Sequence, residues 1–213
     1  MNSISKKGIN TLSCSYKDGF SVFRGTNAAS TLIFETRYIG TLQLCLMAEL
    51  ISTDIDATCY TATVQSLFYH ITNRRQTPLE IIHLVNQGIV PLFYNNGISM
   101  PCSLTTIDRT SGCATVVGSG HLPIIHKSRN GTITTIPCGG ESLGVTEYPV
   151  ISHRSLAIQK GDRFVLLNGV SNENETTTII DHIAENAFAD AQTIADLMPD
   201  AAKDKIVLMS VEI

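Results

Sequence analysis

Two carboxylates at the ends of apolar segments are the side chains in this sequence best placed to do chemistry. Glu49 closes TLQLCLMAEL, which is almost entirely apolar, and Asp204 directly precedes the final apolar segment, KIVLMSVEI. Hard divalent cations such as Mg²⁺ and Mn²⁺ bind Asp and Glu oxygens, commonly donated from several strand ends. Taken singly, either residue could be a solvated strand boundary, so the metal-site hypothesis depends on the whole set.

Other kinds of catalytic site have little support in the sequence. The stretch GSGH at residues 118–121 lacks the spacing of a G-x-S-x-G nucleophile turn. Neither a phosphate-binding loop nor a dinucleotide fingerprint is found in the sequence. His121 reads as a loop residue and His126 as a strand residue, and we assign neither of them a catalytic or metal-binding role.

Length and composition predict a globular chain that forms one domain over residues 1–213, or two small ones. Apolar residues make up 43% of the 213 residues and charged residues 16%, with a net charge of −4. The sequence has no basic stripe for nucleic acid, no signal-peptide core and no apolar run long enough for a membrane span. The six cysteines are scattered without a C-x-x-C pair. We therefore expect a soluble cytoplasmic protein with reduced thiols.

Hydrophobic periodicity predicts strands, two helices, several antiparallel strands, further helices and one last strand. The first helix follows Asp54, with Ser52, Thr53 or Asp54 as its cap. The second begins with the capping box Thr77–Glu80 and is expected to end at Gly88. Segregated runs of strands and helices, without βαβ alternation, predict an α+β layered fold.

The central part of the chain resembles a known enzyme family. It reads VVGSGHLPIIHKSRNGTITTIPCGGESLGV and then IQKGDRFVLLNGVSN. In order and spacing this resembles the metal-dependent serine/threonine protein phosphatases of the 2C type, in their bacterial sporulation and stress-response branch. The amino-terminal segment and the chain length are similar to the small stand-alone member that resets stressosomes.

The resemblance implies a four-layer αββα sandwich of two mainly antiparallel sheets flanked by helices, with a two-metal site. Matched to the family positions, the metal site would include Glu49, the Leu50 carbonyl, Asn168 and Asp204. Thr26 stands where the family has a first aspartate, and Asn168 where it has the aspartate of an Asp-Gly pair. Glu35 becomes an alternative carboxylate if the alignment near Thr26 shifts, but it lies mid-strand.

These departures weaken the metal site that the resemblance implies. Two of four acidic positions are neutral, and two divalent ions would leave much of their positive charge uncompensated. We therefore expect Mn²⁺ or Mg²⁺ to bind weakly or as a single ion.

Three hypotheses follow for the function. The first is an active phosphatase that removes phosphate from serine or threonine of a signalling or scaffold partner. The second, which the charge argument favours, is a phosphatase-like domain that binds such a partner with activity reduced or lost. The third is an unrelated α+β domain that resembles the family by chance.

Overall fold

The computed structural model describes residues 12–15, 20–24, 31–52, 57–74, 76–120, 124–168, 179, 181–183, 185–186, 190–198 and 207–213. These residues belong to two compact units. The first unit takes its described residues from Met1–Ala29, Pro123–Ile136 and Ile158–Ile213, and the second from Ser30–Leu122 and Pro137–Ala157.

The elements follow the predicted order. The strands are β1 (Leu12–Ser15), β2 (Phe20–Arg24), β3 (Leu32–Ile39), β4 (Leu42–Glu49), β5 (Ile51–Ser52), β6 (Ile98–Ser99), β7 (Cys102–Asp108), β8 (Cys113–Ser119), β9 (Ile124–Lys127), β10 (Ile133–Ile136), β11 (Ser152–Ala157), β12 (Arg163–Asn168) and β13 (Val207–Glu212). The α-helices are α1 (Thr61–Ile71), α2 (Pro78–Phe93) and α3 (Ala191–Asp196), and residues 181–183 and 185–186 are also helical.

The first unit is a six-stranded sheet with helical residues packed on one face. Its strand order is β1-β2-β13-β12-β9-β10, and every neighbouring pair is antiparallel. Inward-facing side chains of β2, β9, β12 and β13, such as Val165 and Leu167, form one apolar cluster with Ile183 and with Ile194 of α3. This sheet carries the end of β12, where Asn168 lies.

The second unit is a five-stranded antiparallel sheet covered by α1 and α2. Its order is β11-β8-β7-β4-β3, and the short β5 and β6 pair separately. Leu44, Leu46 and Leu104 of the sheet pack in one cluster with Phe68 of α1 and Ile82 of α2. Two antiparallel sheets, each with helices on one face, confirm the predicted α+β class.

Helix α2 confirms the predicted start and corrects the predicted end. The Thr77 side chain accepts a hydrogen bond from the Glu80 backbone N–H, and the Glu80 carboxylate accepts one from the Thr77 N–H at 2.7 Å. The helix continues past Gly88 to Phe93. A Cβ at Gly88 would lie 2.5 Å from Cδ2 of Leu67, so this glycine allows the close approach of α1 and does not end the helix.

Helix α1 lacks the cap that the sequence predicts. A short 3₁₀ helix, Ala57–Tyr60, precedes it, and Tyr60 at the N-cap makes no side-chain capping bond. Ser52 lies in β5 instead. Thr53 and Asp54 lie outside the described residues. The end of α1 is held by Arg37 of β3, whose guanidinium donates to the Tyr69 carbonyl at 2.6 Å.

The cysteines whose side chains are described are free thiols. Burial raises the pKa of Cys45 and of Cys138 to about 12, and also raises that of Cys102. Within the described part of the chain, no helix is both long enough and apolar enough to cross a membrane.

Candidate functional site

The end of β2, the end of β12 and the start of β13 lie side by side in the first sheet. Each of these strand ends is, or is followed or preceded within a few residues by, a predicted site residue. In the antiparallel register, Val207 at the start of β13 is the partner of both Arg24 on β2 and Asn168 on β12. Thr26 follows Arg24 by two positions and Asp204 precedes Val207 by three, and both lie outside the described residues. The described geometry therefore locates Asn168, and it locates the strand ends nearest to Thr26 and Asp204 along the chain.

Asn168 is the last residue of β12 and is buried, with 4% of its surface exposed. The five residues before it on β12 are also buried. An amide here is neutral, so it needs no counter-charge in this environment, whereas a carboxylate would need one. Asn168 therefore ends β12 with a neutral amide and brings no negative charge to this strand end.

The opposite end of β12 is held by Asp162, and this carboxylate has a structural role. It is buried and accepts hydrogen bonds from the backbone N–H groups of Arg129 at 2.7 Å and Gln159 at 3.0 Å. His126 Nε2 lies 3.2 Å from the same carboxylate, and its ring stacks on Phe164. Asp162 thus ties the turn after β9 to the start of β12, which aligns the strand that ends in Asn168.

Glu49 and Leu50 lie in the second unit, where β4 ends. The Glu49 N–H donates to the Pro101 carbonyl and the Leu50 N–H to the Thr31 carbonyl, each at 3.1 Å. These bonds fix the backbone at this point from both neighbouring segments. Leu50 itself is buried, with 2% exposed.

The Glu49 carboxylate is partly buried, and burial raises its pKa above the usual range. Within the described residues, no side chain or backbone group forms a hydrogen bond with it. A half-buried carboxylate without a donor is destabilised in its charged form, and a nearby cation would relieve that cost. Glu49 is therefore chemically suited to be a metal ligand.

Glu35, the alternative carboxylate, is engaged elsewhere. It lies in the middle of β3 opposite Leu46, and its Oε1 accepts a hydrogen bond from Gln65 Nε2 of α1 at 2.7 Å. Its contact with α1 places it on the helix-covered side of the second sheet.

The described residues contain no group of three or more His, Cys, Asp or Glu side chains arranged to hold a metal ion. Among the described residues, the positions matched to the family carry one carboxylate, Glu49, and one amide, Asn168, together with the Leu50 carbonyl. All are oxygen donors of the kind that Mg²⁺ and Mn²⁺ prefer.

One anchoring residue, Asn86, escaped the sequence reasoning. It is fully buried on α2, where its Oδ1 accepts from the Gly144 N–H at 2.8 Å and its Nδ2 donates to the Thr146 and Glu147 carbonyls at 2.9 and 3.1 Å. Gly144 has φ +85°, and a Cβ there would lie 2.7 Å from the Phe93 ring. The sequence feature that could have revealed this role is an amide on the otherwise apolar buried face of α2.

Asn86 thereby fixes the segment GESLG at residues 140–144, which is part of the stretch that carries the family resemblance. Leu143 of this segment exchanges backbone hydrogen bonds with Met100 at 2.9 and 3.0 Å. The conformation of this segment is thus set by its hydrogen bonds to Asn86 of α2 and to Met100, which directly follows β6.

Comparison with known proteins identifies a family and agrees with the fold. The sequence profile of the family described as Stage II sporulation protein E (SpoIIE) matches residues 47–208. A comparison with curated protein sequences finds no significant match.

Three solved structures illustrate the shared fold. The PP2C phosphatase domain of SpoIIE from Bacillus subtilis, solved with a fragment of its regulatory domain, has a TM-score of 0.72 at 13% identity, covering 100% of this chain and 71% of that one. RsbX in complex with magnesium has a TM-score of 0.70 at 13% identity, with 100% of both chains covered. A third structure comes from work on the bacterial stressosome as a modular system that has been adapted to control secondary messenger signalling. It has a TM-score of 0.64 at 15% identity, covering 91% of this chain and 96% of that one.

Proposed function

The chain belongs to the stage II sporulation protein E (SpoIIE) family, and on that premise we propose that it is a 2C-type phosphatase-like domain with a weakened metal site. It binds a signalling or scaffold protein phosphorylated on serine or threonine, in stress-response partner switching of the stressosome kind. Its hydrolytic activity is reduced or lost. The proposal treats residues 1–213 as one functional domain, active in the cytoplasm, where free thiols persist.

The observation that carries this proposal is the position of Asn168. It ends a buried strand, is itself buried, and stands where the family pattern has the aspartate of an Asp-Gly pair. The amide suits the turn that the Asn168–Gly169 pair predicts from the sequence, since asparagine is common before glycine in turns. It retains an oxygen donor while removing the charge that would compensate a second cation.

The proposed ligand set is Glu49, the Leu50 carbonyl, Asn168 and Asp204, with Thr26 at a lost ligand position. Two carboxylates balance the charge of one divalent ion but leave a second ion uncompensated, which is costly in a partly buried site. The residues therefore fit a single Mn²⁺ or Mg²⁺ and do not fit a tight pair. In a two-metal site the ions activate water for attack on a phosphoryl group.

Glu49 is the charged member of this proposed set that lies in the second unit. Its carboxylate has no hydrogen-bond donor within the described residues, and its pKa is raised by burial. A bound cation would relieve the cost of burying this charge, and no hydrogen bond of the carboxylate within the described residues would have to break. The hydrogen bonds of the Glu49 and Leu50 N–H groups hold the backbone from which both proposed ligands extend.

The direct test is an assay on a phosphoserine peptide and an aryl phosphate with Mn²⁺ or Mg²⁺ present. The proposal predicts hydrolysis at or near the uncatalysed background, together with retained binding of a phosphorylated partner. Robust metal-dependent turnover would instead identify the chain as a fully active phosphatase that resets the same partners.

A further inference from the structure

The second unit contains a cavity of about 750 Å³ at the end of its sheet where β4 begins. It lies between the turn joining β3 and β4, the turn joining β7 and β8, and the first turn of α2. Its volume falls in the range of small-molecule sites, roughly 300–1,000 Å³.

The floor of this cavity is apolar. Ile39, Leu42, Leu44 and Ile81 line it, and Leu44 and Ile81 are almost completely buried. Hydroxyl and amide side chains, including that of Gln76, surround this floor. An apolar base with a few polar groups around it is the usual pattern of a site for a small organic molecule.

Gln76 offers a hydrogen-bond acceptor that the described residues do not use. Its Oε1 is buried and has no hydrogen-bond partner within the described part of the chain. Most buried polar atoms in folded proteins are paired with protein, water or ligand. The cavity therefore favours an occupant that donates a hydrogen bond to this oxygen.

The charges at the cavity favour a cation. Glu80 and Asp108 line it together with one guanidinium, that of Arg74. Hydrogen bonds from the Thr77 N–H and hydroxyl hold the pKa of Glu80 low, and those from the Ser111 hydroxyl and the Thr110 N–H do so for Asp108. Both carboxylates are therefore ionised at neutral pH, and the described part of the lining is net negative.

We propose that this cavity is a binding site for a small primary amine with an apolar, preferably aromatic, body. The ring lies on the apolar floor, an N–H donates to Gln76 Oε1, and the ammonium group is attracted by Glu80 and Asp108. Leu42 and Leu44 lie at the start of β4 and Glu49 at its end. The amine site is thus at the opposite end of the strand from the proposed metal ligand, and amine binding does not require metal.

Calorimetry on the metal-free protein tests the charge preference with two probes that share an indole ring. Tryptamine carries an ammonium group and indole-3-propionate a carboxylate. We expect saturable binding of tryptamine with a dissociation constant in the millimolar range, as suits so small a ligand. Binding of indole-3-propionate should be at least several-fold weaker. Absence of saturable tryptamine binding, or equal affinity for both probes, would overturn the proposal.

The alkylation rates of two native cysteines show where the probe binds. Cys113 lines the cavity, whereas Cys59 is exposed and is not part of the lining. Tryptamine should slow the alkylation of Cys113 by iodoacetamide, measured peptide by peptide by mass spectrometry, and leave Cys59 unaffected. Binding that leaves the alkylation of Cys113 unchanged, or that slows both cysteines equally, would place the probe elsewhere and contradict the assignment.

A pair of glutamine variants tests the acceptor. Gln76→Leu removes Oε1 and should weaken tryptamine binding roughly fivefold, the effect of one lost hydrogen bond. Gln87→Leu makes the same change at an exposed position of α2 outside the cavity and should leave affinity unchanged. Equal affinities of the two variants would refute the role of Gln76.

Discussion

Asn168, the last residue of β12, is the direct cross-strand partner of Val207, the first residue of β13. Asp204 precedes Val207 by three positions, which is at most about 10 Å of extended chain. Thr26 follows Arg24, the other partner of Val207, by two positions. The common end of these three strands therefore fixes the position of Asn168. Thr26 and Asp204 lie within three residues of it along the chain.

Acidic residues at positions 26 and 168 should raise the affinity for Mn²⁺. The double variant Thr26→Asp with Asn168→Asp adds two negative charges at the family positions, and we expect the Mn²⁺ affinity measured by calorimetry to rise by at least tenfold, about 1.4 kcal/mol. Asn130→Asp, which adds a charge in the exposed turn after β9, is the control and should not alter affinity. An unchanged Mn²⁺ affinity in the double variant would show that these residues are not at the metal site.

Removing the charge of Glu49 should have the opposite effect. Glu49→Gln keeps the size of the side chain and should reduce Mn²⁺ affinity by more than the roughly tenfold loss typical of a residue that only supports a ligand. Glu35→Gln is the matched control, because Glu35 bonds to Gln65 of α1. Unchanged Mn²⁺ affinity in the Glu49 variant would contradict its role as a ligand. A loss of affinity in the Glu35 variant would favour the alternative alignment, in which Glu35 takes the place of Thr26.

Asn86 should be a major source of stability in the second unit. Asn86→Ala leaves the buried Gly144 N–H and the Thr146 and Glu147 carbonyls without their partner. We expect the free energy of unfolding in urea to fall by about 2–3 kcal/mol. Asn96→Ala, which removes an exposed bond from Nδ2 to the Leu92 carbonyl, should cost less than about 0.5 kcal/mol. Similar losses in both variants would contradict the anchoring role.

The buried thiols predict a loss of stability at alkaline pH. The pKa of Cys45 rises from 9.0 to about 12 on folding because of burial. Above pH 9 the unfolded state releases a proton that the folded state keeps, so stability falls as pH rises through this window, by about 1.4 kcal/mol per pH unit for each such thiol. Urea unfolding at increasing pH should show a shallower decline in Cys45→Ala than in the wild type. The exposed Cys59→Ala should keep the wild-type slope, and a wild-type slope in Cys45→Ala would refute the assignment.

Local patterns in the sequence predicted those parts of the fold that depend on neighbouring residues. The capping box at Thr77 and Glu80 is such a case, because both partners lie in one helical turn. Gly88 shows the limit of this reasoning. A glycine in a helical pattern is compatible with a stop or with close packing, and only the position of Leu67 on α1 distinguishes the two.

The site was predictable to a similar extent. The strand ends at Glu49 and Asn168 followed from apolar runs that stop at a polar residue. The role of Asp162 in fixing the start of β12 depends on Arg129, a residue 33 positions away, and local spacing does not reveal such a partner. The ligand assignments at Thr26 and Asp204 remain predictions, and the variants above address them.

The most direct test of the weakened metal site is a calorimetric titration of the wild-type chain with Mn²⁺, followed by an aryl phosphate assay on the same sample. The two available carboxylates predict at most one weakly bound ion per chain and turnover indistinguishable from a metal-only blank. Binding of two ions with micromolar affinity, accompanied by metal-dependent turnover, would contradict the account.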